Sequence, residues 1–148
     1  MIDFIIQTIA AGLGTIGYAL FFNNKKKRIP YVAIGGMITW CVYSFVQSQI
    51  DNQFISNCCG AIFATCYSEI LARLQKSPAT VFLIPTIIPL VPGGSLYYTM
   101  SYAVSGNKVL FEQYALFTFQ ITTGLAVGII VVSVVLFHYY KIKNFRKT

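Results

Sequence analysis

The sequence has 148 residues, of which 56% are hydrophobic and only 10% are charged, and its net charge at pH 7 is +7. Soluble domains are about a quarter charged, so this chain lacks the polar side chains that would cover a globular surface in water. We therefore expect an all-α integral membrane protein whose single transmembrane domain spans residues 1–148. The basic residues form short runs beside apolar segments, which is typical of loops at a lipid surface and argues against nucleic-acid binding.

Five apolar segments are long enough to cross a bilayer as helices, which requires about 20 residues. In chain order they cover residues 4–22, 30–50, 54–72, 79–104 and 114–140. The second segment begins with Pro30, which suits the first turn of a helix. We expect residues 105–113, SGNKVLFEQ, to form the loop between the last two spans.

The distribution of Lys and Arg predicts an orientation. With five crossings and the N-terminus outside, ten of the 11 Lys and Arg residues fall on the cytoplasmic side, in the runs at 25–28, 73–76 and 141–147. If the fourth segment did not cross, the cations of the C-terminal run would lie outside. The sequence therefore predicts that residues 79–104 cross once and that the C-terminus is cytoplasmic.

Two glycine motifs lie inside apolar spans. The first, GLGTIG at 12–17, matches the G-x-G-x-x-G fingerprint of dinucleotide-binding sites, but that site requires a preceding strand and a turn into a helix. We interpret Gly12, Gly14 and Gly17, and likewise Gly124 and Gly128, as small-residue surfaces for helix contact, within the chain or with other subunits.

The third span contains Glu69, and Arg73 follows four residues later. Acidic side chains inside membrane segments are candidates for functional sites. Because residues four apart face each other on a helix, we favour a structural ion pair. A proton-coupling or gating role for Glu69 and Arg73 is the alternative.

The sequence provides no pattern for catalysis or metal binding. The four cysteines contain no C-x-x-C pair and have no histidine beside them, and the one histidine has no catalytic partner in the sequence. We therefore expect no enzyme activity, no metal and no cofactor.

The fourth span contains the stretch PTIIPLVPGGSLYY at 85–98. Each proline removes a backbone donor and frees a carbonyl group one turn earlier, and we expect these carbonyls to cluster on one helix face. Glycines 93 and 94 allow unusual dihedral angles and close backbone approach. The stretch predicts a broken helix whose second half begins at 93–95 with free N–H groups that bind a carboxylate; a packed kink is the alternative. The candidate substrate-binding residues are Pro89, Pro92, Gly93, Gly94, Ser95, Tyr97 and Tyr98.

Polar residues also occur in the fifth span, at Gln120, Thr122 and Thr123. We expect them to form hydrogen bonds between helices, with substrate contact as the alternative, and we interpret Gln47 and Asn57 in the same way.

Residues 68–100, SEILARLQKSPATVFLIPTIIPLVPGGSLYYTM, resemble the small, membrane-only subunit of bacterial threonine/serine exporter (ThrE-like) proteins. The matching features are Glu69, the AR dipeptide at 72–73, Pro78, the IPLVPGG motif at 88–94 and Tyr97. The resemblance implies a subunit of a two-component secondary exporter in the bacterial plasma membrane. Its solutes would be threonine and serine, or dicarboxylates such as succinate, and transport would be coupled to protons.

The resemblance also implies a partner, a larger membrane subunit that supplies the N-terminal-type half. Homo-oligomers of this chain are expected as well, in contact with lipid and a small-molecule substrate. Two other functions remain open: a membrane scaffold that transports nothing, and a small channel formed by several copies of the chain.

Overall fold

The computed structural model describes residues 2–145, with side chains through residue 139, and this part of the chain is all-helical. The long helices are α1 (Ile2–Phe21), α2 (Ile29–Ile50), α3 (Gln53–Leu74), α4 (Thr80–Ile87), α5 (Gly93–Ser105) and α6 (Lys108–Phe145), with short 3-10 turns at Lys26–Arg28 and Ile88–Leu90. Four of the helices are long and apolar enough to cross a membrane, and α4 with α5 forms a fifth candidate that is bent by 58°. The predicted all-α fold class is confirmed, and the predicted break in the fourth segment lies between α4 and α5.

One predicted boundary is wrong, because α6 begins at Lys108 and residues 108–113 are helical rather than part of a loop. Gly106 ends α5 with a φ of 75°, a left-handed conformation that glycine adopts easily. The Asn107 side chain then accepts a hydrogen bond from the Leu110 amide at 3.3 Å and starts the next helix. Two residues therefore suffice for the turn.

Helix α3 is central, packing against α2, α4 and α6, while α1 lies on α2 and α5 lies on α6. A Cβ atom on Gly124 would lie 2.5 Å from the Phe54 carbonyl oxygen, and one on Gly128 would lie 2.7 Å from the Cys58 carbonyl oxygen. Both glycines thus allow α6 to touch the backbone of α3, as the small-residue interpretation predicts. Gly14, in contrast, has no described atom within 4 Å of its Cβ position.

A second close approach, at two consecutive glycines of α2, brings four helices together. A Cβ on Gly35 would lie 2.5 Å from the Tyr67 ring of α3 and 3.1 Å from the Thr86 hydroxyl of α4. On the neighbouring side, Gly36 packs against Thr15 of α1. This layer fixes α4, and with it the start of the break, against the first three helices.

The cations of the C-terminal run, at 141–147, lie outside the residues whose side chains the structure describes. The orientation in the membrane therefore stays a prediction.

Candidate functional site: the break between α4 and α5

The break is built from three consecutive backbone changes. Helix α4 contains Pro85 and ends at Ile87, a 3-10 turn covers Ile88–Leu90, and Val91 is extended before α5 begins. Leu90 holds the turn in place, because it is buried in one cluster with Ala61 of α3 and Ile121 of α6. The break is therefore packed against the core of the bundle.

The carbonyl groups that the three prolines release all have partners. The Val81 oxygen, freed by Pro85, accepts from the Asn24 side chain at 3.4 Å. The Pro85 oxygen accepts from the Ile88 amide, and the Ile88 oxygen accepts from the Val91 amide at 3.1 Å. The prediction that free carbonyls cluster on one helix face is therefore wrong. Amides in and after the 3-10 turn, and the side chain of Asn24 in the loop after α1, replace the donors that the prolines lack.

The amide groups at the start of α5 differ from one another. The Gly93 amide donates to the Val91 oxygen at 2.8 Å across Pro92, whose φ of −77° and ψ of 52° are those of an inverse γ-turn. Gly93 is thus not a free donor, contrary to expectation. The amides of Gly94 and Ser95 have no hydrogen-bond partner among the described residues. The Ser95 hydroxyl donates to the Pro92 oxygen at 3.2 Å.

Gly93 and Gly94 are not required for backbone conformation, because neither has a positive φ. Nor do they permit a close contact within the chain: no described atom lies within 4 Å of either Cβ position. The expectation of special dihedral angles is therefore wrong. What the two glycines do is leave the first two positions of α5 without side chains, beside the free amides of Gly94 and Ser95.

A cleft of about 190 Å³ opens beside these amides. Its walls come from α2, α3, the break and α6: Trp40, Tyr43, Asn57, Pro89, Leu90, Val91, Pro92, Gly93, Gly94, Ser95, Phe117 and Ile121. None of these lining residues carries a charge. Trp40 lies half-way along α2, so the cleft reaches the middle of the bundle.

Hydrogen bonds to Gln53 hold two of the polar side chains in the cleft. The Gln53 backbone oxygen accepts from the side-chain nitrogen of Asn57 at 2.8 Å, and the Gln53 side-chain oxygen accepts from the Tyr43 hydroxyl at 2.9 Å. The Trp40 indole nitrogen is buried and has no partner in the described part of the chain. Sequence reasoning missed Trp40, although a single Trp at mid-span carries an N–H that needs an acceptor when buried.

The structure thus brings Pro89, Pro92, Gly93, Gly94 and Ser95 together in one cleft, and places Tyr97 and Tyr98 outside it. Both tyrosines are largely exposed. The Tyr98 ring lies 5.4 Å from the Tyr114 ring of α6, in an aromatic group that also contains Tyr102.

The polar residues of α6 do not join the cleft either. Gln120 is exposed and lines a separate groove along α6. The hydroxyls of Thr122 and Thr123 donate to backbone oxygens of their own helix, so they do not form the expected hydrogen bonds between helices. A hydrogen bond between helices does form one turn earlier in α6, where the hydroxyls of Thr118 and Thr99 lie 3.2 Å apart and join α6 to α5.

Glu69 and Arg73 form the expected ion pair, with 3.4 Å between Oε2 and the guanidinium nitrogen. Both side chains are accessible, so the pair is not a buried charge in the bundle. Glu69 lies twelve residues beyond Asn57 on the same helix, which corresponds to about 18 Å at the rise of an α-helix. The pair and the cleft are therefore separate places on the molecule.

The family model described as Threonine/Serine exporter, ThrE, matches residues 7–135, which include every residue that lines the cleft. No solved structure matches the chain.

Proposed function

Because the chain belongs to the threonine/serine exporter family, we propose that it is the smaller subunit of a two-component secondary exporter for small carboxylate-bearing metabolites. Threonine and serine are the first solutes to test, and dicarboxylates such as succinate are the second. The proposed binding site is the cleft at the break.

The observation that carries this proposal is the imbalance between donors and acceptors at the break. The carbonyls freed by the prolines are satisfied within the chain, whereas the amides of Gly94 and Ser95 are not. These amides lie at the start of α5, where the helix dipole favours negative charge. Such a donor pair binds anions, and broken helices of secondary transporters hold substrate carboxylates in this way.

One side of the cleft is open, and this supports the proposal that a second subunit covers it. Gly93 and Gly94 are exposed, and of the α5 residues only Thr99 is buried. In a bilayer, free amides cannot face hydrocarbon and must be covered by protein or by a water-filled cavity. We propose that the larger subunit covers this side in the plasma membrane, with the N-terminus of the present chain outside and its C-terminus in the cytoplasm.

The proposed transport cycle is alternating access around the break, driven by the proton gradient. The cleft contains no carboxylate side chain, and Glu69 is about 18 Å away by helix rise. We therefore assign the proton-carrying group to the larger subunit, and we assign the pair of Glu69 and Arg73 a structural role.

The test measures export of labelled threonine, serine and succinate from loaded cells that contain this chain, the larger subunit, or both. Flux that requires both chains supports the proposal. Gly94→Leu fills the mouth of the cleft and is expected to abolish flux, while Gly14→Leu adds the same volume at another exposed helical glycine with open surroundings and is expected to preserve it.

Each other outcome identifies another function. Solute flux from this chain alone indicates a homo-oligomeric channel. Absence of flux from a pair of subunits that co-purifies indicates a scaffold. Equal losses in both glycine variants indicate a general effect of added bulk and count against a binding site at Gly94.

A further inference from the structure

Asn57 lies in the second turn of α3 and is only 2% exposed, yet it lines the cleft. Its side chain can be oriented from its neighbour: the Gln53 backbone oxygen, 2.8 Å away, can only accept a hydrogen bond, so the NH₂ group must face it. The Asn57 Oδ1 atom remains without a hydrogen-bond partner among the described residues. Because Asn57 lines the cleft, this unused acceptor is available to a donor group of a ligand there.

The start of α5 provides the complementary groups. The amides of Gly94 and Ser95 lie in the same cleft and have no hydrogen-bond partner among the described residues. The Trp40 indole nitrogen is buried away from the cleft space and therefore cannot contact a solute there. The cleft thus presents one unused acceptor, at Asn57, and unused donors at the start of α5.

The size of the cleft suits a small solute. Its volume is about 190 Å³, which equals roughly six water molecules at the volume that each occupies in the liquid. An acceptor in the same small space as a carboxylate-binding donor set fits a solute whose own donor lies next to its carboxylate. A second carboxylate would instead meet the lone pairs of the Asn57 oxygen.

We infer that Asn57 is a specificity-determining residue, whose side-chain oxygen accepts from an ammonium or hydroxyl group beside the carboxylate. This inference rests on the proposed function and deepens it. The cleft then selects 2-amino and 2-hydroxy acids over dicarboxylates.

The experiment compares export of four labelled solutes by the assembled pair of subunits: threonine, alanine, lactate and succinate. Alanine carries only the ammonium donor, lactate only the hydroxyl, and succinate neither. Asn57→Leu, which keeps the size but removes the acceptor, is expected to lower flux of the first three solutes about tenfold relative to succinate, as a lost hydrogen bond to a charged or buried group predicts.

A control variant completes the design. Thr65→Val is the matched control, since Thr65 is buried on α3 but outside the cleft and its hydroxyl donates to the Ala61 oxygen. It is expected to leave the ratios between solutes unchanged.

Equal losses of all four solutes in Asn57→Leu would overturn the specificity role and leave the exporter function standing. No flux of any solute from the wild-type pair would overturn both proposals. If Asn57→Leu fails to assemble, Asn57→Asp decides: an added negative charge should raise the ratio of threonine to succinate, and an unchanged ratio overturns the inference.

Discussion

The side chain of Asn24 donates a hydrogen bond to the Val81 carbonyl oxygen, 3.4 Å away and 57 residues later in the chain. Val81 lies four residues before Pro85, so this oxygen is the one that Pro85 leaves without its helical donor. The loop after α1 therefore repairs the backbone of α4, and the proline is tolerated inside the bundle because a distant side chain replaces its missing N–H.

This relationship predicts a coupling between two substitutions. Asn24→Ala alone is expected to destabilise the chain by about 1 kcal/mol, because it leaves a carbonyl group unsatisfied. In the background of Pro85→Ala, which restores the helical donor, the same substitution is expected to cost much less. The free energy of unfolding in mixed micelles, measured for all four members of this cycle, tests the idea. Additive effects would show that Asn24 does not compensate for Pro85.

The contact between α3 and α6 predicts opposite effects of the same substitution at two glycines. Gly124→Ala places a methyl group 2.5 Å from the Phe54 oxygen, so the helices must separate, at a cost of about 1–3 kcal/mol. Gly17→Ala enters open space on α1 and is expected to stabilise that helix by up to about 1 kcal/mol. Thermal unfolding in detergent should move in opposite directions for the two variants. A shift of the same sign and size would rule out the close approach at Gly124.

The hydrogen bond between Thr99 and Thr118 joins α5 to α6. Such bonds in membrane proteins contribute about 0.6 kcal/mol on average, so Thr118→Val is expected to destabilise the chain by roughly that amount. Thr123→Val is the control, since the Thr123 hydroxyl bonds only within its own helix. Unfolding in mixed micelles should separate the two variants, and an equal effect of both would show that the link between helices contributes nothing measurable.

The ion pair of Glu69 and Arg73 predicts a small effect on stability. Because both side chains are accessible and lie four residues apart, Glu69→Gln is expected to change the free energy of unfolding by no more than about 0.5 kcal/mol. We expect export to keep its dependence on the proton gradient in this variant. Flux that continues but no longer responds to external pH would instead assign proton coupling to Glu69.

Several features could be predicted from local sequence because their physical causes are local. An apolar run of about 20 residues has no stable alternative to a helix in lipid, and prolines at 85, 89 and 92 cannot continue one. The same reasoning failed for residues 108–113, because the polar and charged residues of this segment suggested a loop. The Asn107 side chain instead caps a helix there, so α6 begins at Lys108.

The composition of the cleft could not be predicted in the same way. Trp40 of α2 and Asn57 of α3 line the cleft together with the start of α5, and no spacing rule relates residues so far apart in the sequence. Only the break itself is local. Likewise, the sequence contains the threonines of α6, but it does not reveal that Thr118 rather than Thr123 faces α5.

The sequence by itself determined that the protein is a helical membrane protein, which of its segments form long apolar helices and where one of these segments breaks, since each of these follows from short-range hydrophobicity and proline chemistry. Its residues 68–100 also carry the resemblance to the exporter family. Only the tertiary structure decided which backbone groups of the break remain free. That outcome depends on partners contributed from elsewhere in the chain, such as Asn24 for Val81, and on the glycines through which α3 and α6 approach closely enough to form the cleft.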